Sequence, residues 1–170
     1  LIASDKLDTN SYYFFIKHLI FIGLGALILF FLSILKEDIL IKISLILFFI
    51  TLVFLLMVPF VGIEVKGSKR WLDLGVLPRF QPIELLKPYF IVLVSIMLCL
   101  NKNIFYKYLL SGIVLLPVIL LLISQPDLGQ TLLITMVWLT LIFVSGINIY
   151  LFFLFFIFTI SISTYLISVS

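Results

Sequence analysis

The chain has 170 residues, of which 64% are hydrophobic and 11% are charged, and its mean hydropathy is +1.39. A soluble globular domain is about 45–50% apolar and about 25% charged, and disordered chains are poor in aromatic and β-branched residues, so this composition excludes both classes. The net charge of +3 is too small to indicate a nucleic-acid partner, and the composition therefore predicts an integral membrane protein.

Apolar stretches follow one another along the chain, and each is close to the length of about 20 residues that a helix needs to cross a bilayer. The predicted spans are 14–35, 39–63, 82–100, 105–124, 128–146 and 149–169. Barrel strands would be about 10 residues long and alternate in polarity, which these runs do not. The predicted fold class is all-α, a polytopic membrane helical bundle with six helices. Because the chain begins with Leu1 and ends in an apolar run, we expect residues 1–170 to be one partial membrane domain.

The few charges are concentrated in one region. Eight of the 19 charged residues (11 basic plus 8 acidic) lie between Glu64 and Lys87. The loop Lys66–Gly75 in this region places cations beside Trp71, and such cations can pair with lipid phosphates. An alternative interpretation is that the loop only anchors the chain at the membrane interface, where tryptophan is common. A count of positive charges alone would place the Glu64–Phe80 loop in the cytoplasm.

The second polar segment is Gln81–Pro88, at the start of the third predicted span. Pro82 suits the first turn of a helix, where its missing N–H is not needed. Glu84 and Lys87 are three residues apart, so they share one helix face and can form an ion pair. Ionisable residues inside a membrane helix indicate a functional site, whereas a pair at the headgroup level would contribute little.

The third polar segment is Ser124–Gln130, and span counting places it on the same side of the membrane as the basic loop. Asp127 is the only charged residue from Tyr108 to Ser170. Capping of the following helix would explain an aspartate here without any function, because the carboxylate is favourable at the positive end of the helix dipole. Its isolation favours a functional role.

Several kinds of site are excluded by residue content. The single cysteine and the single histidine, Cys99 and His18, cannot form a disulfide framework, a thiolate metal site or a histidine cluster. We therefore predict no metal site from the residues, and no Ser/His/Asp set is present.

The three segments, in this order, resemble the SEDS family of bacterial cell-wall polymerases, represented by FtsW and RodA. The family pattern K-G-x-x-R-W-[IL]-x-L-G matches Lys66–Gly75, Q-P-S-E-x-x-K matches Gln81–Lys87 and P-D-x-G matches Pro126–Gly129. One departure is Ile83, where the family usually has serine. The resemblance covers the whole chain, from the end of helix one to helix seven of a ten-helix protein, and it favours the division-associated FtsW branch.

The resemblance implies a peptidoglycan glycosyltransferase that polymerises lipid II into glycan strands during cell division and releases undecaprenyl diphosphate. It implies a multi-pass protein of the bacterial cytoplasmic membrane, with the Glu64–Phe80 loop and Asp127 on the extracytoplasmic side. The implied partners are lipid II, a class B penicillin-binding protein and other divisome proteins. The implied substrate-binding residues are Lys66, Lys69, Arg70, Trp71, Arg79, Gln81, Glu84, Lys87 and Asp127.

The family's essential aspartate is expected in a large loop beyond Ser170, so the catalytic residue is not predicted within this chain and the chain alone is expected to be inactive. No cofactor is firmly implied, although a divalent cation would be compatible with the chemistry. Two other functions remain open at this point: a lipid II flippase, and a non-catalytic divisome scaffold.

Overall fold

We describe the protein from a computed structural model, which covers residues 12–65, 68–73, 75, 79–100, 103–150, 152–154, 156–157 and 161. Contacts divide the chain into two compact units, Leu1–Leu40 and Ile41–Ser170. The helices are α1 (Tyr13–Ile34), α2 (Glu37–Val61), α3 (Pro82–Cys99), α4 (Ile104–Ser124) and α5 (Leu128–Val144). A short hairpin, β1 (Ile63–Val65) and β2 (Ser68–Trp71), lies between α2 and α3.

The five helices match the first five predicted spans to within two residues at each end. Four of them are long and apolar enough to cross a membrane, and α5 is a shorter apolar helix of 17 residues. The largest start difference is in α2, which begins at Glu37 rather than at residue 39, because Glu37 and Asp38 occupy the first turn, where the helix dipole favours acidic side chains. Of the sixth predicted span, residues 149–150, 152–154, 156–157 and 161 are helical and the others lie outside the described residues.

The first unit contains α1, whose apolar side chains are exposed along its length. In the second unit, α2 from residue 41 onward, α3, α4 and α5 share one hydrophobic core. Its fully buried members include Leu55 of α2, Phe90 of α3, Val118 of α4 and Ile142 of α5. Each helix therefore buries one face against the others, and the remaining apolar side chains form the outer surface of the bundle.

The α2–α3 connection is folded back on itself. Strands β1 and β2 pair antiparallel, and beyond them Leu72 and Phe80 exchange two backbone hydrogen bonds of 3.0 and 3.2 Å. Leu72 is completely buried, and the Phe80 ring contacts the Phe54 ring of α2 with the centroids 5.9 Å apart. These contacts hold the base of the loop against the bundle immediately before Pro82 begins α3.

Candidate functional site

A β-bulge presents Arg70 to the rest of the bundle. Ile63 pairs with Trp71 and Glu64 pairs with Lys69, so one residue, Arg70, is left over on β2 between two consecutive pairs. An extra residue of this kind bends the strand and re-aims its side chain, and bulges are frequent beside functional sites. The bulge therefore gives the Arg70 side chain a direction that the regular alternation of side chains along β2 would not give it.

The Arg70 guanidinium reaches the turn between α4 and α5. Its Nη2 donates to the Pro126 carbonyl at 2.9 Å, and its Nη1 lies 3.3 Å from Asp127 Oδ1. The Asp127 side chain is 4% exposed and the Arg70 side chain 34%, so the carboxylate is enclosed while part of the guanidinium faces outward. A buried carboxylate is stable only when it is paired and hydrogen-bonded, which Arg70 accomplishes here.

Two further donors complete the environment of Asp127. Gln81 Nε2 donates to Asp127 Oδ2 at 3.3 Å, and the Gln130 backbone N–H donates to Oδ1 at 3.4 Å. The second contact is the N-terminal cap of α5. Capping, considered above as an alternative to function, is therefore confirmed, but the same carboxylate also joins the hairpin to the start of α3.

A second cluster lies on the adjacent turns of α3 and α5. Lys87 Nζ is 2.8 Å from Glu84 Oε2, which confirms the predicted ion pair. The Gln130 side chain connects to both partners: its Oε1 accepts from Lys87 Nζ at 3.0 Å, and its Nε2 donates to Glu84 Oε1 at 2.8 Å. Gln130 therefore links the two clusters, because its side chain contacts Glu84 and Lys87 and its backbone N–H contacts Asp127.

The two clusters together carry no net charge, because Arg70 and Lys87 balance Asp127 and Glu84. The Lys87 side chain is 18% exposed and the Glu84 side chain is 51% exposed. An arrangement of this kind can orient hydrogen-bond donors toward a polar ligand without accumulating unpaired charge in a region of low dielectric. Both carboxylates are occupied as acceptors, which suits them to hold cations in place.

A third ion pair lies in the loop between Leu72 and Phe80. Arg79 Nε donates to Asp73 Oδ2 at 3.0 Å, and the Gly75 backbone N–H donates to Asp73 Oδ1 at 2.9 Å. Gly75 has a φ of +73°, a conformation that glycine adopts without strain. The hydrogen bond from Gly75 and then the contact with Arg79 lower the pKa of the Asp73 carboxyl below its ordinary value.

The structure thus brings five of the predicted site residues into one connected group: Arg70, Gln81, Glu84, Lys87 and Asp127. Arg79 pairs with Asp73 instead, and Lys69 is exposed on β2. Trp71 is half-buried at the end of β2, paired with Ile63, and Lys66 lies outside the described residues.

Ile83, the departure from the family pattern, is 1% exposed and belongs to the hydrophobic core. The position next to Glu84 is therefore filled by an apolar side chain that points away from the polar network, and its burial accounts for an isoleucine being stable there.

The structural roles of two glutamines, Gln125 and Gln130, and the β-bulge at Arg70 were not predicted. Gln130 follows the P-D-x-G pattern directly, and the polar Gln125 precedes it, so their positions beside Asp127 were the available signal. For the hairpin, the available signal was the alternation of apolar and charged residues over Ile63–Val65.

Across the described part of the chain, no group of three or more His, Cys, Asp or Glu side chains could hold a metal ion. Two concave surfaces lie near the polar network. A crevice of about 290 Å³ separates the hairpin from the α4–α5 turn and is lined by Pro59, Glu64, Ser68, Lys69, Ser124, Gln125 and Pro126. A groove of about 580 Å³, lined mostly by apolar side chains of α5, begins at Gly129 and extends to Leu141, with Ile91 of α3 on its other side.

The apolar helices define a multi-pass membrane protein. At one end of the bundle, side chains of the hairpin, α3 and the start of α5 form a polar site. Residues 1–170 match the model of the FTSW_RODA_SPOVE family, described as "Cell cycle protein". The chain belongs to this family, as its motifs had indicated, and it is a multi-pass protein of the inner membrane.

Relatives and solved structures agree with this assignment. The chain is 33% identical over 108 residues to the probable peptidoglycan glycosyltransferase FtsW of Nitrosomonas europaea. The aligned segment covers 61% of this chain and 28% of the relative. It is 35% identical over 108 residues to the peptidoglycan glycosyltransferase MrdB of Escherichia coli, covering 60% and 28%. The chain therefore spans less than a third of the length of these relatives.

Among solved structures, the rod shape determining protein RodA of Thermus thermophilus superposes with a TM-score of 0.64 at 32% identity, over 78% of this chain and 44% of that one. A chain from a structure on the coordination of polymerization and crosslinking by a peptidoglycan synthase complex gives a TM-score of 0.64 at 35% identity, over 74% and 37%. The predicted all-α membrane bundle is confirmed by this likeness.

Proposed function

We propose that this chain is part of a peptidoglycan glycosyltransferase that polymerises lipid II into glycan strands during cell division and releases undecaprenyl diphosphate. The observation that carries the proposal is the network centred on Asp127 and Gln130, which unites the three family motifs through side-chain contacts. The names of the FtsW and MrdB relatives support the same activity.

The proposed substrate combines a diphosphate, sugars and a long isoprenoid chain, so its site needs polar donors beside an apolar surface. The network and the groove that starts at Gly129 provide both on neighbouring turns of α5. Departure of a diphosphate is favoured by cations placed where negative charge develops. Lys69 is exposed on the hairpin and forms no ion pair with any described residue, so we assign it the most direct phosphate contact.

The paired cations would act differently from Lys69. Arg70 and Lys87 retain donors that their carboxylate partners do not use, and these can bind sugar hydroxyls or phosphate oxygens in fixed directions. The Arg79–Asp73 pair is exposed and contributes little on its own, so Arg79 can exchange its carboxylate for a ligand phosphate. Lys66, Trp71, Gln81, Glu84 and Asp127 complete the proposed substrate-binding set.

The contact between Arg70 and Pro126 places the hairpin and the α4–α5 turn at the same end of the bundle. We assign this end to the extracytoplasmic side, where the glycan is assembled, against the count of positive charges. A class B penicillin-binding protein is the proposed partner, and the similarity to a chain from a peptidoglycan synthase complex supports this. Other divisome proteins complete the proposed assembly.

The test uses the full-length protein, purified with its penicillin-binding partner and supplied with labelled lipid II. We expect glycan chains, and we expect Lys87→Ala and Arg70→Ala to abolish both polymerisation and support of division while still inserting into the membrane. Lys107→Ala is the control, because Lys107 lies in the first turn of α4, about 26 Å along that helix from its site end.

The outcome separates the three functions. A folded, partnered sample that makes no glycan would contradict the glycosyltransferase. Transfer of lipid II across vesicles without polymerisation would identify a flippase. Normal division with Lys87→Ala and Arg70→Ala would indicate a scaffold.

A further inference from the structure

We propose that Gln130 is a positioning residue that fixes the Lys87 ammonium for the substrate, an inference that rests on the proposed glycosyltransferase function. Gln130 is half-buried on the first turn of α5, facing α3. Its side chain contacts Lys87 and Glu84 with opposite ends of one amide, at 3.0 and 2.8 Å. The Glu84–Lys87 contact of 2.8 Å closes the three side chains into a ring.

The ring has one allowed orientation of the amide. The carbonyl oxygen faces the ammonium and the NH₂ group faces the carboxylate, so both contacts are charge-assisted hydrogen bonds. Rotating the amide by half a turn would place the NH₂ group against the ammonium and the oxygen against the carboxylate, and both contacts would become repulsive. Glutamine is thus matched to this pair in a way that neither an apolar nor an acidic side chain of the same length is.

The ring explains how the Lys87 ammonium can be held in one defined direction. An exposed ion pair three residues apart on one helix stabilises the helix only weakly, and a lysine side chain loses considerable rotamer freedom when it is held still. The contact from α5 adds a second fixed acceptor for the ammonium. Within the described residues, two of the three Lys87 N–H donors are then in use, which leaves one donor with a set direction for a ligand.

Gln130 also connects this donor to Asp127. The Gln130 backbone N–H donates to Asp127 Oδ1, the oxygen that Arg70 contacts. The first turn of α5 therefore fixes the distance between the guanidinium of the hairpin and the ammonium of α3. A substrate that contacts both cations would meet them already in place.

The test compares Gln130→Leu and Gln130→Glu in the full-length protein with its partner, measuring kcat and KM for lipid II. We expect Gln130→Leu to lower kcat about tenfold, because the Lys87 ammonium loses one of its two fixed acceptors, while the thermal unfolding temperature stays near that of the native protein. Thr135→Val is the matched control, since it removes a half-buried hydrogen bond one turn along α5, to Thr131, outside the ring.

The pH profile of Gln130→Glu provides a signature that a purely structural role would not produce. The charged groups that face position 130 are Glu84 and Lys87 of α3 and Asp127 of α5, with Arg70 behind Asp127. At pH 7.5 the carboxylate introduced at position 130 repels Glu84, whereas at lower pH its protonated form can donate to Glu84 and accept from Lys87, as the amide does. We expect the kcat of this variant, relative to native protein at the same pH, to recover several-fold on acidification.

The possible results separate this inference from the function on which it rests. If the native protein polymerises lipid II and Gln130→Leu is equally active, or if the relative kcat of Gln130→Glu does not change with pH, the positioning role is overturned. A native protein that makes no glycan overturns the glycosyltransferase proposal itself.

Discussion

The side-chain amide of Gln125 donates to the backbone carbonyl of Leu55 at 3.3 Å, deep between α4 and α2. In a regular helix that carbonyl would accept from the N–H four residues later, but position 59 is a proline and has none. A carbonyl without a donor is costly inside a bilayer, and membrane helices tolerate proline when a neighbour replaces the missing donor. Gln125, which is 3% exposed, is that neighbour.

We therefore expect Gln125→Leu to lower the free energy of unfolding by about 1–3 kcal/mol, the cost of one buried unsatisfied group. The measurement is SDS-induced unfolding in mixed micelles. Pro59→Ala restores the helical donor, so in that background the cost of Gln125→Leu should fall by about half or more. Equal costs in both backgrounds would show that the Leu55 carbonyl does not depend on Gln125. Ser124→Ala, an exposed neighbour, is the control.

Arg70→Lys should reduce function while preserving the fold. A lysine keeps the charge but cannot contact Pro126 and Asp127 together, as the forked guanidinium does. It also removes the Arg70 Nε–H, which is buried and has no hydrogen-bond partner among the described residues, so little stability should be lost. We expect polymerisation of lipid II to fall about tenfold, the effect of one charge-assisted hydrogen bond.

Lys107→Arg is the control for Arg70→Lys, because it also exchanges one basic side chain for the other, at a residue in the first turn of α4 that lies far from the site. It should retain most of its activity. A normal polymerisation rate with Arg70→Lys would show that only the positive charge matters at position 70. The direction that the bulge gives the guanidinium would then have no role.

Asp73 should make a pH-dependent contribution to stability. Because the hydrogen bond from Gly75 and the contact with Arg79 lower the pKa of Asp73 in the folded protein, the charged form stabilises the loop. This contribution is complete above the unfolded pKa of about 3.9 and is lost as the pH falls through the lower folded value.

The corresponding measurement is the difference in thermal unfolding temperature between native protein and Asp73→Asn from pH 7 to pH 3. The difference should be constant near neutrality and shrink at the acid end, where Asp73 becomes as uncharged as asparagine. Adding Arg79→Gln to Asp73→Asn should produce little further loss, since the partner is already absent. A difference that grows on acidification would contradict the assigned direction.

Ile83→Ser, which restores the residue usual in the family, should destabilise this protein. The side chain is buried in the core, and exchanging it for serine removes apolar contacts and introduces a buried hydroxyl, at a cost of about 2–4 kcal/mol. Ile83→Val is the graded control, with an expected cost of about 0.5–1.5 kcal/mol. SDS-induced unfolding would measure both, and equal stability of native protein and Ile83→Ser would show that the hydroxyl finds a partner beside Glu84.

The local features of this chain could be predicted from its sequence because they depend on neighbouring residues. Apolar runs defined the helices, Pro82 marked the start of α3, and the spacing of Glu84 and Lys87 defined their ion pair. Contacts between distant segments could not be predicted in the same way. The Arg70–Pro126 and Gln81–Asp127 hydrogen bonds join residues 56 and 46 positions apart, and no local periodicity encodes them.

The bulge in β2 makes the length of that strand as important as its composition. Because β2 has one residue more than its partner strand between these pairs, removal of a single residue between Ser68 and Trp71 would eliminate the bulge and restore regular pairing. The strand would then lose the local bend that directs Arg70 toward Pro126 and Asp127. A change in the length of the hairpin is therefore expected to disturb this site even when Arg70 itself is kept.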